Sequence, residues 1–118
     1  MDLKTAIKTY QFAERAKSEL IVCSQLLNAL AGFPEQERPG AKRMLLLVIE
    51  SVRSELEFAF RDTERAEFKK GIGFLNEAIS LSGSDQYGSA VLKLSEAISA
   101  ATTAAQGAWK VLADNGLL

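Results

Sequence analysis

From Tyr87 to Val111 the apolar residues recur at alternating steps of three and four: Tyr87, Ala90, Leu94, Ala97, Ala101, Ala104, Ala108 and Val111. That spacing brings side chains round to one side of an α-helix and excludes a strand, whose faces alternate every second residue. Val91, Ile98, Ala105 and Leu112 widen the stripe, which predicts a helix facing a core and not a thin two-stranded seam. Between Ala97 and Ala108 the stripe is all alanine, so the helix is narrow there and its neighbours can come close.

The rest of the chain repeats this pattern. Ala6, Ala13, Leu20 and Leu27 recur every seven residues, with Ala16, Cys23 and Leu30 between them, predicting a first helix over Leu3–Ala31. Asp2 suits its N-cap and Gly32 its C′ position, where glycine takes a left-handed conformation cheaply. Pro34, Pro39 and Gly40 enclose a polar linker, and the second helix is expected to start near Pro39. Its stripe is Leu45, Ile49, Val52, Leu56 and Ala59.

Beyond Arg61 the stripe resumes at Phe68, Ile72, Leu75 and Ile79, out of step with the residues before it. This phase change predicts a break, with Asp62 or Thr63 capping a third helix. One long helix over 41–81 is the competing reading, because no glycine, proline or asparagine marks a turn. Gly71 and Gly73 mark a kink or a close helix approach. Ser82-Gly83-Ser84-Asp85 reads as a turn, with Ser84 capping the last helix, and Asn115-Gly116 reads as a C-cap.

The expected fold is therefore all-α: an antiparallel up-and-down bundle in one domain, with four helices preferred over three. A chain of 118 residues can bury such a core without metals or disulfides. Apolar residues at 47% and charged residues at 25% are a globular composition. Met1-Asp2-Leu3-Lys4 leads straight into the first amphipathic pattern, without a signal-peptide profile. The longest apolar run, Met44–Ile49, is too short to span a bilayer, so no membrane partner is expected. With Cys23 the only cysteine, no internal disulfide can form, and a cytoplasmic setting is expected.

The hexapeptide Leu75-Asn76-Glu77-Ala78-Ile79-Ser80 returns as Leu94-Ser95-Glu96-Ala97-Ile98-Ser99. It is either a duplicated helix or an amphipathic pattern that recurs readily, and the second reading is favoured. Phe74, Ala78 and Leu81, followed by Tyr87, Ala90, Leu94 and Ala97, make this hairpin similar to a tetratricopeptide helix pair. The resemblance covers about a quarter of the chain, as a single unit where such arrays need several. It implies Ala78 near Ala90 and Leu81 near Tyr87. The helix order is also similar to that of small four-helix HEPN domains, some of which cut RNA. Their nuclease motif needs a histidine, so that activity is not implied.

The chain has no histidine at all, which removes most chemistry. Ser–His and Cys–His nucleophiles are impossible, and so is the Glu-x-x-His motif of di-iron bundles. A zinc site built from cysteine and histidine cannot form with one cysteine. Gly71-Ile72-Gly73 lacks the strand and further glycine of a phosphate loop. Glu77 and Glu96 lie on the polar flanks of their stripes and read as solvated surface. Cys23 reads as a small buried hydrophobe. No enzyme activity and no cofactor are expected.

What remains is surface. Ile21 and Val22 lie off the first helix's stripe, and Leu92 and Trp109 lie off the last one's. The turn Met44–Ile49 is apolar all round, which leaves Leu46 and Leu47 beyond the core stripe. These six residues are the candidate interface of a homodimer, in a scaffold or accessory protein. The alternative is a small helical subunit of a nucleic-acid-binding complex, using Lys4, Lys8, Lys42, Arg43, Lys69 and Lys70. A net charge of −1 and interspersed acids do not favour it.

Overall fold

The computed structural model describes Met1–Leu118 and contains four helices: α1 (Leu3–Leu30), α2 (Arg38–Thr63), α3 (Ala66–Gly83) and α4 (Tyr87–Asp114). Short connections make consecutive helices antiparallel. Each helix touches the next, and α4 closes the ring against α1, while the diagonal pairs stay apart. The result is an up-and-down four-helix bundle measuring 54 × 22 × 18 Å.

The core runs down the middle of the ring. The stripes read from the sequence supply most of it: Leu20, Cys23 and Leu27 from α1, Ile49 and Leu56 from α2, Phe68 and Leu75 from α3, Ala90 and Leu94 from α4. In α3 the other buried positions include Gly71 and Ala78, and Ile72 and Ile79, read as part of the stripe, are half-buried beside them. Ala78 and Ala90 are fully buried in this one core, and Leu81 and Tyr87 pack against it. Where α1 meets α4 both helices present alanines, among them Ala6, Ala13 and Ala16 opposite the alanine run of α4. Small side chains let the axes approach, and α1–α4 is the most extensive contact in the bundle.

Asp2 caps α1 as expected, its Oδ1 accepting from the Thr5 N–H at 2.7 Å. At the far end Gly116 takes φ +72°, and the Leu117 N–H reaches the Leu112 carbonyl at 2.9 Å. That is a Schellman cap. Three other expectations are corrected. Gly32 is not left-handed; Gly116 is the only glycine with positive φ. Ser84 ends α3, donating its N–H to Ser80 and Leu81, and does not cap α4. Neither Asp62 nor Thr63 caps α3, whose N-cap position is Arg65.

The break between α2 and α3 is real, and a glutamate makes it. Glu64 adopts the left-handed conformation at φ 57°. Thr63 Oγ1 donates to the Ala59 carbonyl at 2.8 Å and accepts from the Arg65 N–H at 3.3 Å. One side chain thus closes the end of α2 and steadies the entry to α3. Gly71 marks a close approach: a Cβ built there would sit 3.2 Å from Leu56 Cδ1. At Gly73 a Cβ would meet nothing within 4 Å.

Candidate interaction face between α1 and α2

Beside its core stripe, α1 carries a second row at steps of three and four: Phe12, Arg15, Glu19, Val22, Leu26. The matching row on α2 is Met44, Val48, Ser51, Glu55, Phe58. Both rows lie one step round from the buried positions, so they flank the α1–α2 seam on its outer side. The antiparallel register matches them end to end.

At one end the rings of Phe12 and Phe58 meet edge to face, 5.8 Å between centroids, and Phe12 also meets the buried Phe68 at 6.4 Å. Phe58 stands out from the surface, 55% exposed, with the Arg61 guanidinium 5.9 Å from its ring centre. In the middle the Arg15 guanidinium holds two carboxylates. Its Nε donates to Glu19 Oε1 at 2.8 Å, and Nη2 donates to Glu55 Oε1 at 2.7 Å. Glu19, Val22, Val48 and Ser51 border one shallow depression. At the other end an open groove of about 350 Å³ is lined by eight residues, all apolar, among them Leu26, Leu30, Phe33, Ala41, Met44 and Val48.

The two carboxylates in the middle are close enough to hydrogen-bond each other, and both are acceptors when ionised. The proton-bearing form of Glu55 is therefore favoured: the bond to Glu19, burial and the Glu19 charge raise its pKa to about 7. Burial pushes Glu19 upward as well, but the bonds from Glu55 and Arg15 outweigh it and hold Glu19 low. Glu55 Oε2 is enclosed and has no partner among the ionised groups. A shared proton satisfies it, so the pair titrates as a unit.

The six residues expected at an interface do not form one surface. Val22 and Leu47 lie on or beside this face. Ile21 is exposed on the side of α1 turned toward α4. Leu46 is half-buried on the flank of α2 that carries Lys42 and Arg53, which reach Asp85 and Asn76. Leu92 stands alone and exposed on α4. Trp109 does not reach Phe33; it lines a separate depression with Glu14, Lys17 and Thr102 between α1 and α4. The residues that sequence reading passed over are Leu26, Phe33, Met44, Val48 and Phe58. Their signal was the second three-four row, which the core stripe overshadowed.

Several other chemistry-bearing residues are engaged by neighbours, though Lys4, Arg43, Lys69 and Lys70 are not among the ion pairs. Lys93 bridges Glu77 at 2.9 Å and Glu96 at 3.3 Å across α3 and α4. Lys8 pairs with Asp62 at 3.3 Å, and Lys42 with Asp85 at 3.1 Å. Cys23 is fully enclosed, and burial pushes its thiol up to about 11. No three Cys, Asp or Glu side chains are grouped to hold a metal ion. No helix is long and apolar enough to cross a membrane. Comparison with known protein families, with curated proteins and with solved structures finds no match.

Proposed function

We propose that this chain is a non-enzymatic interaction protein, a scaffold or accessory subunit, that associates with a second copy of itself through the α1–α2 face. The observation that carries this reading is the all-apolar groove at one end of that face, open to solvent and rimmed by Leu26, Phe33 and Met44. Met44 is 71% exposed, and a helix-borne methionine held in water beside a phenylalanine is unfavourable surface until something covers it.

The size of the face supports a second copy. From Phe12 to the end of α1 at Leu30 it is roughly 27 Å long at 1.5 Å per residue, and two helices make it about 20 Å wide. That is about 540 Å² per copy, or roughly 1,100 Å² in a pair, just above the ~1,000 Å² that a specific protein interface needs. A cytoplasmic setting suits the single enclosed thiol. The nucleic-acid reading loses support because Lys8 and Lys42 are ion-paired within the bundle.

Light scattering on an eluting size-exclusion peak at micromolar concentrations tests this. A dimer is expected, and it should dissociate in Met44→Glu while persisting in Leu92→Glu, whose site lies off the face. A strict monomer throughout that range overturns the proposal.

A further inference from the structure

The face has a protruding aromatic at one end, an apolar groove at the other and charged side chains between them. Phe58 and Met44 are fourteen residues apart on one straight helix, hence about 21 Å apart. The residue midway between them is Ser51, exposed and aimed outward. On α1, Phe12 pairs with Phe58 and Leu26 lies at the groove, and the residue midway between those two is Glu19. Glu19 and Ser51 border the same depression. The face is thus laid out about one line crossing both helices, with the exposed Phe58 beside a depression of about 200 Å³ on one side and the larger, all-apolar groove on the other.

We infer that two copies dock antiparallel about a two-fold axis through Glu19 and Ser51, each seating its Phe58 in the Leu26–Phe33–Met44 groove of the other. This rests on the self-association proposed above and adds its geometry. A two-fold axis lying in the face and crossing the helices at right angles exchanges the two ends, so one projection-and-recess contact is made twice. A two-fold axis parallel to the helices instead sets Phe58 against the opposite copy's aromatic end and leaves both grooves open. The groove has room for one ring: at about 350 Å³ it exceeds the volume of a phenyl side chain several-fold while staying open to solvent.

The middle of the face tolerates this arrangement. Near the axis each copy brings Glu19, and each Glu19 is already held by its own Arg15 at 2.8 Å. No bare like-charge pair is forced together. One step outward, Arg15 and Glu55 come to lie over the Val22–Val48 stretch of the other copy. The arrangement makes one aromatic contact at each end of a polar centre.

Ser51→Cys tests the axis directly. A residue on a two-fold axis faces its own copy, so a single cysteine there should close an intermolecular disulfide under mild oxidation by glutathione disulfide. Cys23 does not compete, because it is enclosed and its thiol is pushed up to about 11. Ser51→Cys should become a covalent dimer with release of two glutathiones per disulfide, while Leu92→Cys should be oxidised no further than the mixed disulfide with glutathione. Phe58→Ala should weaken association by about tenfold or more, since each copy loses the aromatic ring that fills its partner's groove. A dimer that cross-links through Leu92→Cys and not Ser51→Cys, or that ignores Phe58→Ala, overturns this docking and leaves self-association standing. A strict monomer overturns both.

Discussion

Arg15 donates to Glu55 Oε1 across 2.7 Å and so ties α1 to α2 beside a second carboxylate, Glu19. Three charged groups from two helices converge on one proton. In the folded chain that proton stays on the pair up to about 7, whereas an unfolded glutamate loses it near 4.5. Between those values the folded state binds more protons than the unfolded one. Stability from this group is complete below the unfolded value and is lost as pH rises through about 7.

Urea unfolding at about pH 5.5 and about pH 7.5 measures the effect. The Glu55 side chain is 35% exposed, so solvent screening limits the loss at the higher pH to about 1 kcal/mol. Glu55→Gln should flatten the difference, because the amide donates to Glu19 at either pH. A difference that persists in Glu55→Gln places its origin in another group.

Thr9 offers a test inside the core. It is fully buried on α1, and its Oγ1 has no hydrogen-bond partner. An enclosed hydroxyl without a partner costs about 1–3 kcal/mol of desolvation. Thr9→Val keeps the branched shape and removes the hydroxyl, so it should stabilise the bundle by about 1 kcal/mol in chemical denaturation. Loss of stability would mean that the hydroxyl has a partner in solution.

Much of this fold could be read from residue spacing. The core stripes of α1, α2 and α4 were legible because buried positions on a helix repeat with its turn; in α3 the bulkier Ile72 and Ile79 drew the reading one step away from the buried Gly71 and Ala78. The α2–α3 break was legible only as a change of phase. Its mechanism was not, because Glu64 at φ 57° occupies a position usually given to glycine, and the Thr63 side chain supplies the bonds that make this tolerable. The interaction face was partly hidden for a different reason. Ile21 and Val22 are adjacent and both off-stripe, yet one turns toward α4 and the other toward α2. Spacing gives directions around one helix; it does not say which neighbour stands in each direction. Val22 acquires meaning only once Val48 is seen across the seam. Trp109 attracted attention by residue type and by lying off the stripe of the last helix, and it belongs to the opposite flank of α1.

Gly71 and Gly73 separate two uses of glycine in one helix. Both are interior to α3, where alanine is intrinsically better by about 0.5–1 kcal/mol. At Gly73 an added Cβ meets open space, so Gly73→Ala should gain that amount. At Gly71 it comes 3.2 Å from Leu56 Cδ1, a buried side-chain atom that must give by a few tenths of an ångström. Gly71→Ala should fall short of Gly73→Ala by about 1 kcal/mol, and Gly71→Val should destabilise outright through overpacking. Equal gains at both positions would show that Leu56 yields freely.

The antiparallel docking makes a prediction that a parallel dimer or an unrelated interface does not share. In it, Phe58 of each copy lies beside Met44 of the other, so the same contact occurs twice. Phe58→Lys copies alone would set two ammonium groups into apolar grooves, and they should be monomeric. Met44→Glu copies alone would set a carboxylate beside each incoming ring, and they should be monomeric too. Mixed together, the two variants regain one native contact and replace the other by a lysine–glutamate pair. A one-to-one heterodimer should form, weaker than the wild-type dimer because one apolar contact has been exchanged for a rim-exposed ion pair. Its recovery should be lost at high salt, which screens the pair. Both variants alter exposed positions, so unchanged helical circular dichroism separates loss of docking from loss of fold. Two variants that stay monomeric when mixed, with their helicity intact, would show that Phe58 and Met44 do not meet across the axis.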